Sequence, residues 1–385
     1  MNNSSGTKIV IGNGFDLACG YKTSYKDFFT SPYFLLGNIE SFMDYVSSTL
    51  LGTPKNLSSI LALKINVWSL LFYLSSNDLE LNTLKPKTLN TQIKPDIKWC
   101  DIEEIMSLSF QKEISSSSIG LPVPIWSKVF ESDNGEGLYR IEIPLATFFK
   151  KYHPDVNVSK LYLFLYDQLT DFEKVFGKFI DGQTKVDNRR KAFELINTIN
   201  FMHTDAISDS SIDSFNFSNV VSSTYHINGD TSNPIFGIDS KDIKKDNPSY
   251  HFTKTYQRIG QLEKTKRNMT SFNNLIVYGH SLNQQDYSYF LPIFDALDFY
   301  NRNSKSSITF GYSYYKLENK TIDESKIIEK NKLSSGIAEL FAAYEDYNPK
   351  YTDKRLLDSL MLQGRVKTIN ADDSDEISDA LSSKF

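Results

Sequence analysis

Three short segments carry the residue types that can do chemistry. The first is Ile9-Val10-Ile11-Gly12-Asn13-Gly14-Phe15-Asp16, where two glycines one residue apart close a β-branched run. Only glycine lets backbone approach a bound phosphate closely, and a helix starting there adds amides and the positive end of a dipole. The usual dinucleotide spacing fails, because Leu17 stands where a third glycine belongs. A P-loop fails too, since Gly14 and Gly20 enclose five residues and Tyr21 displaces Lys22. Beside nucleotide or phosphate binding stands the plainer reading, a tight turn of any α/β fold.

The second segment holds Ser214-Phe215-Asn216-Phe217-Ser218-Asn219 and, just after it, Tyr225-His226-Ile227-Asn228-Gly229-Asp230. An asparagine at the end of a strand can hold a ribose hydroxyl or an attacking water, or it can close an Asx turn. In an extended chain His226, Asn228 and Asp230 share one face, so His226 beside Asp230 reads as a general base or as a structural histidine. The third segment, Tyr278-Gly279-His280-Ser281-Leu282-Asn283-Gln284-Gln285-Asp286, follows a strand and belongs at the carboxyl edge of a sheet. His280 and Ser281 are no nucleophile pair, because adjacent side chains diverge, and Asp286 suits the N-cap of a following helix.

Asp101 and Glu104, three apart, present two carboxylates on one helix face for a metal or for acid-base work, or else form a helix cap. Lys254, Arg258, Lys264, Lys266 and Arg267 make a basic segment that reads as a solvated face, with phosphate contact behind it. The acidic tail Asp372, Asp373, Asp375 and Glu376 lacks calcium-loop spacing.

The elements that must position these residues follow from periodicity. Lys8 to Ile11, Ile212 to Phe217, Ser222 to Ile227, Pro234 to Ile238, Leu275 to Tyr278, Ile308 to Phe310 and Arg365 to Ile369 read as strands. Leu161 to Ile180, Phe252 to Lys266 and Tyr287 to Tyr300 read as helices, and Ser24 with Asp27 as a helix start. Strands alternating with helices predict an α/β fold with a doubly wound, Rossmann-like parallel sheet and a large helical insertion after the first strand. The expected division is 7–31 for the first strand, Gly-rich turn and helix, 32–205 for the mostly helical insertion, 206–370 for the rest of the α/β domain and 371–385 for the acidic tail.

The composition bounds the function. The chain has 385 residues with 42 Lys+Arg against 47 Asp+Glu, a net charge of −5, so nothing global favours DNA or an anionic membrane. Two cysteines, Cys19 and Cys100, are too few for a disulfide framework or a thiolate metal cage. The first twenty residues do not read as a signal peptide, and the longest apolar stretch, Ile65 to Leu74, is too short to span a bilayer. A cytoplasmic protein without membrane contact is expected.

Taken in order, these blocks resemble the bacteriophage abortive infection AbiH family. The resemblance rests on Gly12 to Leu17 with Thr23-Ser24-Tyr25, Trp99-Cys100-Asp101-Ile102-Glu103, and Ser214 to Asn219. It continues through Asn228-Gly229-Asp230 with Ile235-Phe236-Gly237-Ile238-Asp239, then Lys254-Thr255-Tyr256-Gln257, and Gly279-His280-Ser281-Leu282 with Asp286. The layout is similar to that of sirtuin-like NAD-cleaving domains. That likeness implies an antiphage effector that binds NAD or a related nucleotide, as substrate or ligand, and hydrolyses its nicotinamide-ribose bond. It implies Asn216 as the residue that positions water or ribose. Gly12, Asn13, Gly14, Phe15, Asp16, Asn228, Asp230, Gly279, Ser281 and Asp286 are implied as cofactor-binding. Asn228 stands where the pattern expects His before Gly, so the base is His226, with His280 competing, or hydrolysis is lost. A non-catalytic nucleotide sensor or interaction subunit of a defence system and a metal-dependent nuclease toxin are the alternatives. A phage-derived trigger, a partner defence protein or a second copy of the chain are the macromolecular partners such a role admits.

Overall fold

The computed structural model describes residues 6–34, 66, 68, 102, 103, 106, 127–131, 138–142, 158–185, 188–201, 211–222, 224–241, 243, 245, 246, 248–259, 272–301, 303–314, 320–347 and 355–373. The chain forms two compact units. One comprises residues 1–23, 180–234 and 259–385, and the other comprises 24–179 and 235–258.

The first unit is built on a parallel sheet of six strands: β1 (Gly6–Ile11), β4 (Ser211–Ser214), β5 (Thr224–His226), β6 (Phe272–Tyr278), β7 (Ser307–Tyr312) and β8 (Val366–Asn370). Their order is β5-β4-β1-β6-β7-β8, with Ile11 opposite Ser214 on one side and Tyr278 on the other. The chain works outward from β1 in one direction and then in the other, so the order reverses between β1 and β6.

Alternation along the strands feeds two cores. Val10, Leu275, Val277, Ile308 and Phe310 face α6 (Tyr287–Ala296), α7 (Ile322–Tyr347) and α8 (Leu356–Leu362). Ile9, Ile11, Ile276 and Tyr278 face Phe15 of α1 (Asn13–Ala18) and Ala192, Ile196 and Ile199 of α4 (Arg189–Phe201). Both faces of the sheet are therefore covered, as a parallel sheet requires. α7 was not anticipated. It starts on a Thr321/Glu324 capping box and buries Ile337, Leu340, Phe341 and Tyr344 at helical spacing.

The second unit has an aromatic core. In α2 (Tyr25–Phe29), opened by the expected Ser24/Asp27 capping box, Tyr25 and Phe28 pack against Phe172 and Phe176 of α3 (Val158–Gln183) and against Phe236. Along α3, Leu165, Leu169, Phe172, Phe176 and Phe179 are buried, whereas Val175, expected in the same stripe, lies at its exposed edge. Trp68 donates its indole N–H to the Leu165 carbonyl at 2.8 Å. An antiparallel hairpin, β2 (Ser127–Glu131) with β3 (Leu138–Glu142), falls in the stretch expected to be mostly helical. The strand expected over Pro234 to Ile238 is instead an irregular segment with one bridge, Ile238 to Thr253. The helix expected from Phe252 is α5 (Lys254–Ile259), and residues 260–271 lie outside the described residues.

Candidate functional site

The carboxyl ends of β1 and β6 meet through glycine. Gly12 donates its N–H to the Tyr278 carbonyl at 2.9 Å, and Gly14 donates to the Gly279 carbonyl at 2.8 Å. A Cβ on Gly14 would stand 2.7 Å from the Gly279 Cα, and one on Gly12 would stand 2.6 Å from the His280 Cα. Gly279 itself holds φ +63°, the left-handed region. The close approach for which these glycines make room is therefore that of a second turn. The Gly14 amide, expected to face a phosphate, is already bonded within the protein.

One turn further on, Asp16 is 1% exposed and Asn216, beyond β4, is 2% exposed. The Asn216 Nδ2 donates to Asp16 Oδ1 at 3.0 Å. Burial drives the Asp16 carboxyl up to about 7, an effect partly offset by the polar side chains of Ser218, Asn216 and Thr23. Thr23 spends its hydroxyl proton on Asn13 Oδ1, at 2.8 Å. Asp16 Oδ2 and Asn216 Oδ1 have no hydrogen-bond partner within the protein. The turn after β4 is closed by Ser214, whose Oγ accepts from the Asn216 N–H at 3.0 Å, so the Asn216 side chain is not used for an Asx turn.

His226 ends β5, and its Nδ1 lies 2.8 Å from the Asn216 carbonyl oxygen. A carbonyl only accepts, so in the neutral ring the proton sits on Nδ1 and Nε2 keeps its lone pair. Asp16, Asn216 and His226 form a linked row at the ends of β1, β4 and β5. The shared face expected for His226, Asn228 and Asp230 ends with the strand. Asn228 is buried, Gly229 turns at φ +77°, and Asp230 Oδ1 accepts from the amides of Ser232 and Asn233 as an Asx turn.

His280 is held on all sides. Its ring packs edge-on to Phe215 and Phe290, with centroids 4.2 and 5.2 Å away, and Nδ1 accepts from the Leu282 N–H at 2.9 Å. The proton of the neutral ring is then on Nε2, which faces Asp286 Oδ2 at 3.4 Å. Asp286 precedes α6 but makes no capping bond with its side chain. Leu282 takes a left-handed φ of +55°, Ser281 is exposed, and Phe15 is a core residue set edge-on to Tyr278.

The model of the family described as bacteriophage abortive infection AbiH matches residues 9–312. The chain belongs to the AbiH family. No curated protein and no solved structure matches it. Membership associates the chain with phage abortive infection. The AbiH match runs from within β1 to the end of β7, so it takes in Asp16, Asn216, His226 and His280 and leaves α7, α8 and β8 beyond it.

The remaining AbiH blocks meet in the second unit. Lys254, 1% exposed, pairs with Glu103 at 2.8 Å. Gln257 Nε2 donates to the Phe236 carbonyl, and the Phe236 N–H donates to Glu173 Oε1 at 2.9 Å. Lys254 departs from the expected solvated basic face, because it is interior and its charge is matched. Lys264, Lys266, Arg267, Asp101 and Glu104 lie outside the described residues. Glu173, which sequence reasoning did not single out, is pushed up to about 8 by burial against the opposing Phe236 hydrogen bond. Its signal was an acid embedded in the apolar stripe between Phe172 and Phe176. Among the described residues no group of three or more His, Cys, Asp or Glu could hold a metal, and no helix is long and apolar enough to cross a membrane.

Proposed function

We propose that this AbiH chain is an abortive-infection effector that binds NAD, or a nucleotide of the same build, over the carboxyl ends of β1, β4 and β6 and hydrolyses its nicotinamide-ribose bond. The observation that carries the reading is Asn216, an interior amide at the end of a strand whose carbonyl oxygen has no partner in the protein. An acceptor in that condition suits a hydroxyl donor, either a ribose or the attacking water. Its place supports the same reading, since ligands of open α/β sheets bind beyond the carboxyl ends of the strands, where the order reverses.

In this mechanism the C–N bond to nicotinamide breaks and the oxocarbenium-like ribose carbon is attacked by water oriented by Asn216. The water proton passes to His226 Nε2, the nitrogen left with a lone pair. His280 has no free acceptor nitrogen for that proton in this reading, because its Nδ1 already accepts a backbone amide and the proton of the neutral ring is on Nε2. The test is chromatography of nicotinamide and ADP-ribose after purified protein is incubated with NAD. Release by the native protein and loss in His226→Ala are expected. Release unchanged in His226→Ala but lost in a folded His280→Ala would move the base to His280. Binding of NAD without any release would favour the sensor reading, which Asn228 in place of a histidine supports.

A further inference from the structure

We infer that Asp16 is the positioning residue of this site: its carboxylate holds the amino end of Asn216 and so presents the Asn216 carbonyl oxygen to a hydroxyl of the ligand. An asparagine amide is a donor at one end and an acceptor at the other, and its two ends have nearly the same shape. What turns it one way is the partner it meets. Above about pH 7, where Asp16 is ionised, its carboxylate only accepts, so the end of Asn216 that meets Asp16 Oδ1 at 3.0 Å is Nδ2. Oδ1 is thereby left facing away from that bond, interior and without a partner, and Asp16 Oδ2 is in the same condition beside it.

Two interior acceptors on neighbouring side chains define a ligand chemistry. They suit a group that brings O–H donors, such as the hydroxyls of a pentose or a bound water. They reject a phosphate or carboxylate, which brings lone pairs and negative charge to a place that already has both. The glycine turns give no alternative anchor for an anion at this spot, because the Gly14 amide is committed to the Gly279 carbonyl. The site beside Asp16 is therefore a sugar or water subsite.

The inference rests on the proposed NAD reading only for its binding arm, and two variants separate orientation from mere packing. Asp16→Asn is isosteric, but an asparagine at 16 can donate to Asn216 Oδ1, which consumes the outward acceptor or turns the amide around. The exchange variant Asp16→Asn/Asn216→Asp restores a donor at 16 facing an acceptor at 216 and leaves a second carboxylate oxygen of residue 216 unpaired. Calorimetric titration with NAD should show affinity lowered by at least roughly tenfold in Asp16→Asn and recovered by the exchange. Native-like binding by Asp16→Asn, or no recovery in a folded exchange variant, overturns the inference. Should Asp16→Asn not fold, the exchange variant decides alone. A second readout needs no nucleotide. In protein labelled with ¹⁵N-asparagine, the side-chain amide signal of Asn216, identified by its loss in Asn216→Asp, should move in Asp16→Asn. An unmoved signal overturns the positioning role. A native protein that does not bind NAD, with that signal moved, removes the proposed substrate and leaves the positioning role standing.

Discussion

Replacing Asp16 with asparagine should remove a pH dependence of stability that the native chain carries. The carboxyl moves from 3.8 to about 7 on folding, chiefly through burial. Below the lower value it is neutral in both states. Between the two, the folded chain keeps a proton that the unfolded chain has lost, so unfolding releases a proton and rising pH favours it. Above about 7 both states are ionised and the full cost of burying the charge is present. A displacement of about 3 pH units, at about 1.4 kcal/mol each, gives a loss of about 4 kcal/mol between pH 4 and 7. Asp16→Asn keeps the shape of the side chain and cannot ionise, so it lacks this slope. The assay is urea unfolding of both proteins at several pH values from 4.5 to 8. Taking the difference between the two proteins at each pH cancels every other titrating group. The variant should gain on the native chain by a few kcal/mol over that range. A difference that stays flat with pH would refute the argument, because it would mean that Asp16 is not buried as a titrating acid.

Glu173→Gln should behave in the same sense over a window that extends to about pH 8, because burial also raises that carboxyl and glutamine keeps an acceptor for the Phe236 N–H. Its relative gain on the native chain should still be growing between pH 7 and 8, where that of Asp16→Asn levels off. Gly14→Ala should destabilise by more than about 2 kcal/mol in the same measurement, since its Cβ meets backbone on the facing turn and no flexible side chain can yield. His280→Ala should lower stability by about 2–3 kcal/mol through lost packing on Phe215 and Phe290 and an unpaired Leu282 amide. His226→Ala, partly exposed and tied by one bond, should cost about 1 kcal/mol, and thermal melts of the two variants give the comparison.

Much of the sheet was legible because its strands are short β-branched runs with turn residues at their ends. Leu275 to Tyr278 needed only extension back to Phe272, and Ile308 to Phe310 only extension to Ser307 and Tyr312. Pro234 to Ile238 looked the same but among the described residues pairs only through the Ile238 to Thr253 bridge, and pairing is a tertiary fact that composition does not carry. α7 was missed although its Thr321/Glu324 box and the Ile337 to Tyr344 spacing were there to read, because charged and polar residues outnumber the apolar ones in its first half. Asn216 and His226 could be singled out by residue type at the ends of strands. That Asp16 grips Asn216 could not, because nothing in either local sequence records a contact between residues 200 positions apart. The glycines were recognised as a close approach, but what approaches is decided by Gly279, from a different strand.

The position of β1 in the middle of the sheet has a consequence for how the protein is made. β1 is synthesised before its partners, which begin at Ser211 and Phe272, and Asp16 meets Asn216 only when that part of the chain exists. At about 5–20 residues per second, the first strand and its acid leave the ribosome about 10–40 seconds ahead of the asparagine that completes the pair. Until then Asp16 is an ordinary hydrated carboxylate on an unpaired strand. A chain released early, anywhere short of residue 216, therefore carries the glycine turn without the acid-amide pair.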